Sequence, residues 1–434
     1  MVTQKVRGVT KLQVTIIAAI IIIAVIASAY YLLTQTPAPQ PPEAPEEILI
    51  GASLPLTGPL AFLGSQYSKG YNWAVEYINE NGGVYVEEFE KKIPLKLILY
   101  DDESQATRSV SIVERLIQVD MVDFLLGPSG STLVYAASAI AELNKVPMVS
   151  PSGWSDKIFE REFKYIFCPQ QYASDVGAKL IDQMKELLGD ELQTIAIAFP
   201  RNEYHTYIAM GAERGALRNG LTILLYEGYP PGTTDFSSLM VKLQALGQID
   251  LFFSNAYYAE NLAVIRALMT YDVNPKALFL YGGPETASFM ETVGEEAMDY
   301  VFRQDPWPAR TVNPFSNAIP EGVHDWFIDK CDEEGEPPED NIIFGFDAVT
   351  ILADAIERAG TLDREDVRDA LAQTDSVYLR GPVKFDDKGM NTMRSYFADQ
   401  YQLAAGDWVS LTPSEWATGT IKYPAPTWAE KGVS

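Results

Sequence analysis

Residues 125–154 read LLGPSGSTLVYAASAIAELNKVPMVSPSGW. Phe124, Leu125 and Leu126 make a short buried strand, a Gly-Pro-Ser-Gly turn follows, a helix opens at Ser131 and Thr132, and a second strand over 146–150 is stopped by Pro151. This is half of a parallel α/β unit. A helix that starts at the carboxyl end of a strand offers unpaired backbone N–H groups and a partial positive charge. Ser131 is placed either to cap that helix or to give its hydroxyl to an anion there. The second strand runs out in Ser150, Pro151, Ser152 and Gly153, at the same edge of a parallel sheet. Two strand ends then face one crevice, where open α/β sheets bind small ligands. Taken alone, capping and strand punctuation explain the unit equally well, and the rest of the chain must decide.

The chain has 434 residues, enough for two or three domains, and 47% of them are hydrophobic. Its formal net charge of −26 excludes nucleic acid as a partner, because phosphate recognition needs clustered Lys and Arg. Cys168 and Cys331 allow one pairing at most; with so large a core, two free buried thiols are expected. Residues 14–33 are uncharged and long enough to cross a bilayer. Lys5, Arg7 and Lys11 precede them, which keeps the N-terminus cytoplasmic and sends the remainder outside. Residues 27–29, Ala-Ser-Ala, resemble a cleavage site, so a removed signal peptide is the alternative. The length of the stretch favours an uncleaved anchor. Residues 34–47 are Pro-rich and read as an extended stalk.

Beyond the stalk, strands at 48–54, 95–100 and 124–126 alternate with helices at 66–81 and 104–119, which argues for a parallel sheet with right-handed crossovers. A second run of alternation begins with a strand at 165–167. It continues through strands at 194–199, 221–226, 251–253 and 277–281, with helices at 174–188, 204–219, 236–246 and 259–271 between them. Two sheets of similar size imply two lobes with a cleft between them. From Tyr300 the order is less regular. Helices at 324–331, 342–359 and 364–373 and strand-like segments at 383–385 and 396–404 are too little for a third domain, and are expected to cross back and complete the two lobes.

Several motifs in this order carry a resemblance: SLPLTGPLAFLGSQYSKG (53–70), NENGGV (79–84), LILYDDES (97–104), LLGPSGST (125–132), VPMVSPSG (146–153), TTDFSSLMVKLQALGQIDLFF (233–253), YGGPE (281–285), FGFDAV (344–349) and GPVKFDDKG (381–389). From about residue 48 to 408 the chain resembles the branched-chain amino-acid (Leu/Ile/Val) type of solute-binding protein of ABC transporters, which has the type I periplasmic-binding fold. That resemblance implies two Rossmann-like lobes joined by hinge crossings near Cys168, Gln304 and Arg394. One lobe takes in 48–168 and 304–394, the other 169–303 and 395–428. It also implies a small-molecule ligand, a membrane permease as partner, a monomeric body, and no cofactor or metal.

Residue by residue, the resemblance makes Ser131 the hydroxyl on the ligand carboxylate, with Thr132 beside it. Ser152 follows the Ser-Pro and offers backbone groups, Glu285 is the acid on the ligand ammonium, and Tyr204 and Tyr257 are the second lobe's aromatic contacts, with Tyr258 as an alternative to Tyr257. The chemistry of an α-amino acid fits such a set, because a zwitterion needs an anion site and an opposed carboxylate. Glu285 also reads as a helix-capping acid. Two positions depart from the pattern. Trp154 stands where a Thr often helps bind the carboxylate, and Leu63 where an aromatic is common. They leave open a different amino acid, an amide or urea-like molecule, or a small aromatic acid.

An enzyme is not expected. The two histidines are His205 and His324, and no G-x-S-x-G, H-E-x-x-H or G-x-x-x-x-G-K-[ST] motif and no Cys/His cluster at metal spacing occurs. A ligand-sensing ectodomain is the other alternative. Only about a dozen residues precede the apolar stretch, too few for a signalling domain, and a tethered transport component fits better.

Overall fold

The computed structural model describes residues 10–34, 43–284, 286–305, 322–336, 340–393, 397–412, 414 and 417–433. It divides into two compact units, 1–44 and 45–434. In the first, helix α1 (Lys11–Thr34) contains 21 residues, Lys11–Tyr31, that are long and apolar enough to cross a membrane; a signal sequence has the same character.

The second unit begins with β1 (Ile48–Leu54), α2 (Ala61–Glu80), the hairpin β2 (Val84–Val86) and β3 (Lys91–Ile93), and β4 (Leu95–Asp101). α3 (Ala106–Gln118), β5 (Phe124–Leu126), α4 (Ser131–Leu143), β6 (Met148–Val149), the one-turn α5 (Asp156–Phe159) and β7 (Ile166–Phe167) follow. The five longer-range strands form an all-parallel sheet in the order β4-β1-β5-β6-β7. Next come α6 (Ala173–Leu188), β8 (Thr194–Pro200), α7 (Glu203–Arg218), β9 (Thr222–Tyr229), α8 (Ser237–Ala245), β10 (Leu251–Asn255), α9 (Tyr258–Thr270) and β11 (Ala277–Tyr281). Short helices α10 (Ala287–Val293) and α11 (Glu295–Met298) lead to β12 (Val301–Asp305). The remainder supplies α12 (Val323–Glu334), α13 (Asp340–Ala359), α14 (Arg364–Ala372), the hairpin β13 (Asp375–Tyr378) and β14 (Gly381–Lys384), β15 (Phe397–Gln402) and β16 (Asp407–Ser410). The second sheet has seven strands, β16-β15-β12-β11-β10-β8-β9, parallel except that β15 runs antiparallel to both neighbours.

Parallel strands covered on both faces read as continuous apolar runs. β10 (LFFSN) is buried at every position, and Ile48, Ile50, Ala52 and Leu54 of β1 are fully inaccessible. Around the second sheet, Phe252, Leu278, Leu280 and Phe289 form one core with Trp428, whose indole N–H donates to the Val273 carbonyl at 2.8 Å and ties down the tail.

The architecture follows the expected two-sheet α/β plan, with local differences. The strand at 166–167, expected to open the second run, pairs with β6 and belongs to the first sheet. The strand expected over 146–150 keeps only Met148–Val149, because Pro147 has no N–H to give a ladder. β12, the antiparallel β16, the β2–β3 hairpin and β13 come as additions, while the segment expected at 383–385 is β14, paired with β13.

The irregular remainder packs on both sheets. α13 lies across α2 so closely that a Cβ on Gly70 would sit 2.0 Å from the Ile342 carbonyl oxygen, and one on Gly345 2.7 Å from that of Tyr67. Phe327 of α12 meets Trp73 of α2 edge-on at 5.7 Å. Cys168 and Cys331 are both free and buried, as expected. Cys168 forms a parallel bridge with Met390: the Cys168 N–H donates to the Gly389 carbonyl at 2.8 Å, and the Asn391 N–H to the Cys168 carbonyl at 3.1 Å.

Candidate ligand site between the two sheets

The carboxyl ends of both parallel sheets open on a common cavity of about 140 Å³. From the first lobe, the turn after β5 brings Gly130 and Ser131, and the loop after β6 brings Ser152 and Trp154. Gly130 is the N-cap of α4 at φ 94°, a left-handed conformation that favours glycine, and no side chain caps the helix. Ser131 is therefore the first helical residue and not the cap that one reading of the sequence proposed. Its Oγ accepts the Ser155 N–H at 3.3 Å, while the Gly130 N–H donates to Ser152 Oγ at 2.9 Å. The two serines lock the post-β5 and post-β6 loops together at the positive end of α4.

From the second lobe, α7 starts at the cavity. Asn202 caps it by accepting the His205 N–H at 3.0 Å, which sets Tyr204 and His205 in the first turn. Tyr257 opens α9 in a capping box with Glu260, whose Oε2 accepts the Tyr257 N–H at 3.2 Å. Tyr281 ends β11, and its hydroxyl is hydrogen-bonded to that of Tyr204. Gly282 follows at φ 89°, where a Cβ would lie 2.1 Å from the Ala256 carbonyl oxygen, so only glycine lets the two strand ends close up.

Of the residues singled out in the sequence, Ser131, Ser152, Trp154, Tyr204 and Tyr257 line this cavity together, as does Leu63. Thr132 does not: it is exposed on α4, outside the lining. Tyr258 is likewise absent from the wall and packs edge-on against Phe289 at 5.4 Å. Glu285 lies outside the described residues, as does Arg394 of the expected hinge. Residues not foreseen as lining are Tyr67 on α2, His205, Tyr281, Gln304 on β12, and Asp340, Asn341 and Phe344 at the start of α13. Tyr281 was within reach of the strand-end rule that found Ser152. Tyr67 and Phe344 arrive only through the crossing of α2 and α13.

Burial holds the His205 imidazole down at about 3, so the ring is neutral. The Tyr257 phenol is pushed up to about 12 by burial, with Glu260 adding to it. At the α13 end, Asp340 Oδ1 is 3.8 Å from Arg380 Nη2, and the guanidinium lies 3.2 Å over the Phe344 ring. No group of three or more His, Cys, Asp or Glu able to hold a metal occurs among the described residues. The site offers backbone and hydroxyl groups at a helix N-terminus on one side and aromatic rings on the other, which suits holding a small anion-bearing molecule.

Residues 47–406 match the model of a family described as periplasmic binding protein. Among curated proteins, the chain is 24% identical over 394 residues to Leu/Ile/Val-binding protein homolog 7 of Brucella abortus (strain 2308), covering 88% of this chain and 95% of that one. It is 25% identical over 361 residues to the leucine-, isoleucine-, valine-, threonine-, and alanine-binding protein of Pseudomonas aeruginosa, covering 80% of this chain and 87% of that one. Among solved structures, the branched-chain amino acid transporter substrate binding protein LivJ of Streptococcus pneumoniae, in complex with isoleucine, superposes with a TM-score of 0.70 at 19% identity. The match covers 87% of this chain and all of LivJ.

Proposed function

Since the chain belongs to the periplasmic binding protein family, we propose that its body captures an amino acid or amino-acid-like small molecule outside the cytoplasm and delivers it, chemically unchanged, to an ABC-type permease in the membrane. The observation that carries this reading is the cavity between the sheets, where the N-terminus of α4 with Ser131 and Ser152 faces Tyr204 and Tyr257 of the other lobe. The ligand carboxylate lies at the Gly130–Ser131 turn, where the helix dipole and hydroxyl favour negative charge. Glu285, next to Tyr281 and Gly282 in sequence, takes the ammonium. The names of the relatives, a Leu/Ile/Val-binding protein homolog in Brucella and a leucine-, isoleucine-, valine-, threonine-, and alanine-binding protein in Pseudomonas, support the same ligand class.

Capture works by closure: only the closed form touches the ligand from both lobes, so ligand shifts the population towards it. The lobes move about the paired segments 168–170 and 389–391 and about the end of β12 at Gln304. α1 is retained as an anchor, and the Pro-rich residues after it keep the monomeric body near its permease, raising its local concentration there. Calorimetric titration of the chain with the proteinogenic amino acids tests the reading. Saturable binding of at least one is expected, and heat from none of them would remove it.

A further inference from the structure

Aromatic rings form much of the cavity wall, and three of their pairs meet close to right angles, while Tyr204 and Tyr281 are tilted at 55°. Trp154 meets Tyr204 across the lobes at 5.6 Å and 89°, and Phe344 at 5.7 Å and 83°. His205 meets Tyr257 at 4.2 Å and 89°. Parallel rings make a slot for a flat molecule, whereas perpendicular rings enclose a rounded group from several sides. Two small rounded groups compete for such a box, a branched hydrocarbon and a trimethylammonium, and the wall chemistry separates them. Aliphatic side chains hold a hydrocarbon equally well, yet among the described residues the lining contains only Leu63 and Ala256 of that kind. π faces, in contrast, attract a cation electrostatically.

The charges around the box agree. His205, the ring able to carry positive charge, is held neutral by its burial. Asp340 adds a carboxylate to the wall, with the buried Arg380 guanidinium 3.8 Å from it. Phe344 is already covered by the Arg380 guanidinium, and besides the neutral His205 the described lining then offers the rings of Trp154, Tyr204, Tyr257, Tyr67 and Tyr281. The hydroxyls of Tyr204 and Tyr281 are bonded to each other, and a methylated nitrogen, having no N–H, asks nothing of them. The volume of about 140 Å³ is on the scale of the roughly 150 Å³ void that holds one benzene, a bulk close to that of a trimethylated glycine.

On the premise that this cavity is the receptor site, we infer that its substrate class is a betaine-like zwitterion, with the carboxylate at the Gly130–Ser131 turn and a quaternary ammonium boxed by Trp154, Tyr204 and Tyr257. The test is calorimetric titration of the full chain in a maltoside detergent with N,N,N-trimethylglycine and with 3,3-dimethylbutyrate, which has the same shape and no positive charge. Leucine and benzoate serve as parallel arms. Trimethylglycine should bind about tenfold or more tighter than the uncharged isostere, a gap typical of a desolvated cation–π contact. Trp154→Leu should erase the gap, and Trp154→Phe should restore part of it. The inference is overturned if the isostere binds as tightly as trimethylglycine, if benzoate binds tighter than either, or if trimethylglycine does not bind. Leucine binding that depends on Ser131, without trimethylglycine binding, would overturn this substrate class and leave the receptor reading standing. Binding of none of the four would overturn this substrate class and leave the receptor reading to the titration with the proteinogenic amino acids.

Discussion

The Ser131 hydroxyl has little structural duty, since its one described bond, to the Ser155 N–H, is long at 3.3 Å. Ser131→Ala should therefore weaken amino-acid binding by about tenfold or more, the worth of a hydrogen bond to a charged group. Its melting temperature should stay close to that of the parent chain. Unchanged affinity in calorimetry would mean that the carboxylate sits elsewhere. Asp102, at the end of the neighbouring β4, behaves in the opposite way. It is fully inaccessible and accepts Ser53 Oγ–H at 2.9 Å and the Ser104 N–H at 3.0 Å. Burial raises its carboxyl from 3.8 to about 6 despite those bonds. The folded chain thus holds this proton more tightly than the unfolded chain, and unfolding releases it between about pH 4 and 6. Stability falls as pH rises through that window and levels off above it. Asp102→Asn should flatten that part of the melting-temperature profile. At this scale the sequence was informative wherever a residue ends a strand or starts a helix. It failed at Thr132 for a geometric reason: successive helical residues point about 100° apart, so Ser131 and Thr132 do not share a face.

Among the elements, the crossing of α2 and α13 holds the tightest packing next to the site. Gly70 meets the backbone of Ile342, Gly345 and Phe346, none of which can yield like the tip of a long side chain. Gly70→Ala should cost about 1–3 kcal/mol or somewhat more, measured by urea unfolding. It should also loosen ligand binding, because Tyr67 and Phe344 reach the cavity from the same two helices. An unchanged unfolding midpoint would mean that the helices separate without penalty. The elements most legible beforehand were the fully apolar parallel strands, such as β10 and β11, where a continuous run needs no neighbour to be recognised. β12 reads VFRQD and β16 DWVS, and their polar residues gave no such signal. β12 is placed by pairing with β15 from a distant part of the chain, which no local pattern reports, and β16 by turning back on β15 directly after it.

For the whole molecule, the lobes are joined beside the cavity both by bonds from the start of α6 to the Trp154 loop, such as the Ala173 N–H to the Trp154 carbonyl at 2.7 Å, and by half-exposed polar pairs. Lys157 on α5 pairs with Glu203 on α7 at 2.7 Å, and the Tyr207 hydroxyl donates to Glu160 at 3.1 Å. Half-exposed ion pairs of this kind contribute about 0–1 kcal/mol each and add little to holding the lobes shut. Saturating ligand should lower the radius of gyration in X-ray scattering, and at a hundred times Kd should add about 2.7 kcal/mol of stability. A radius unaffected by ligand would sink the closing mechanism. The two-lobed plan was readable because alternation restarts after residue 165. The way the last hundred residues return to both sheets was not, since it depends on contacts such as Cys168 with Met390. Those two strips of backbone also limit how the molecule can move. Asn391 stitches them further, its side-chain N–H groups reaching the Pro169 and Pro382 carbonyls at 3.1 Å each. Two straps bonded edge to edge should bend out of their common plane more readily than they twist, so a jaw-like swing is the motion the scattering experiment should find. Such a swing would bring Trp154 back onto the same edge of Tyr204 at each closure, so that the shape offered to the next molecule is the shape offered to the last.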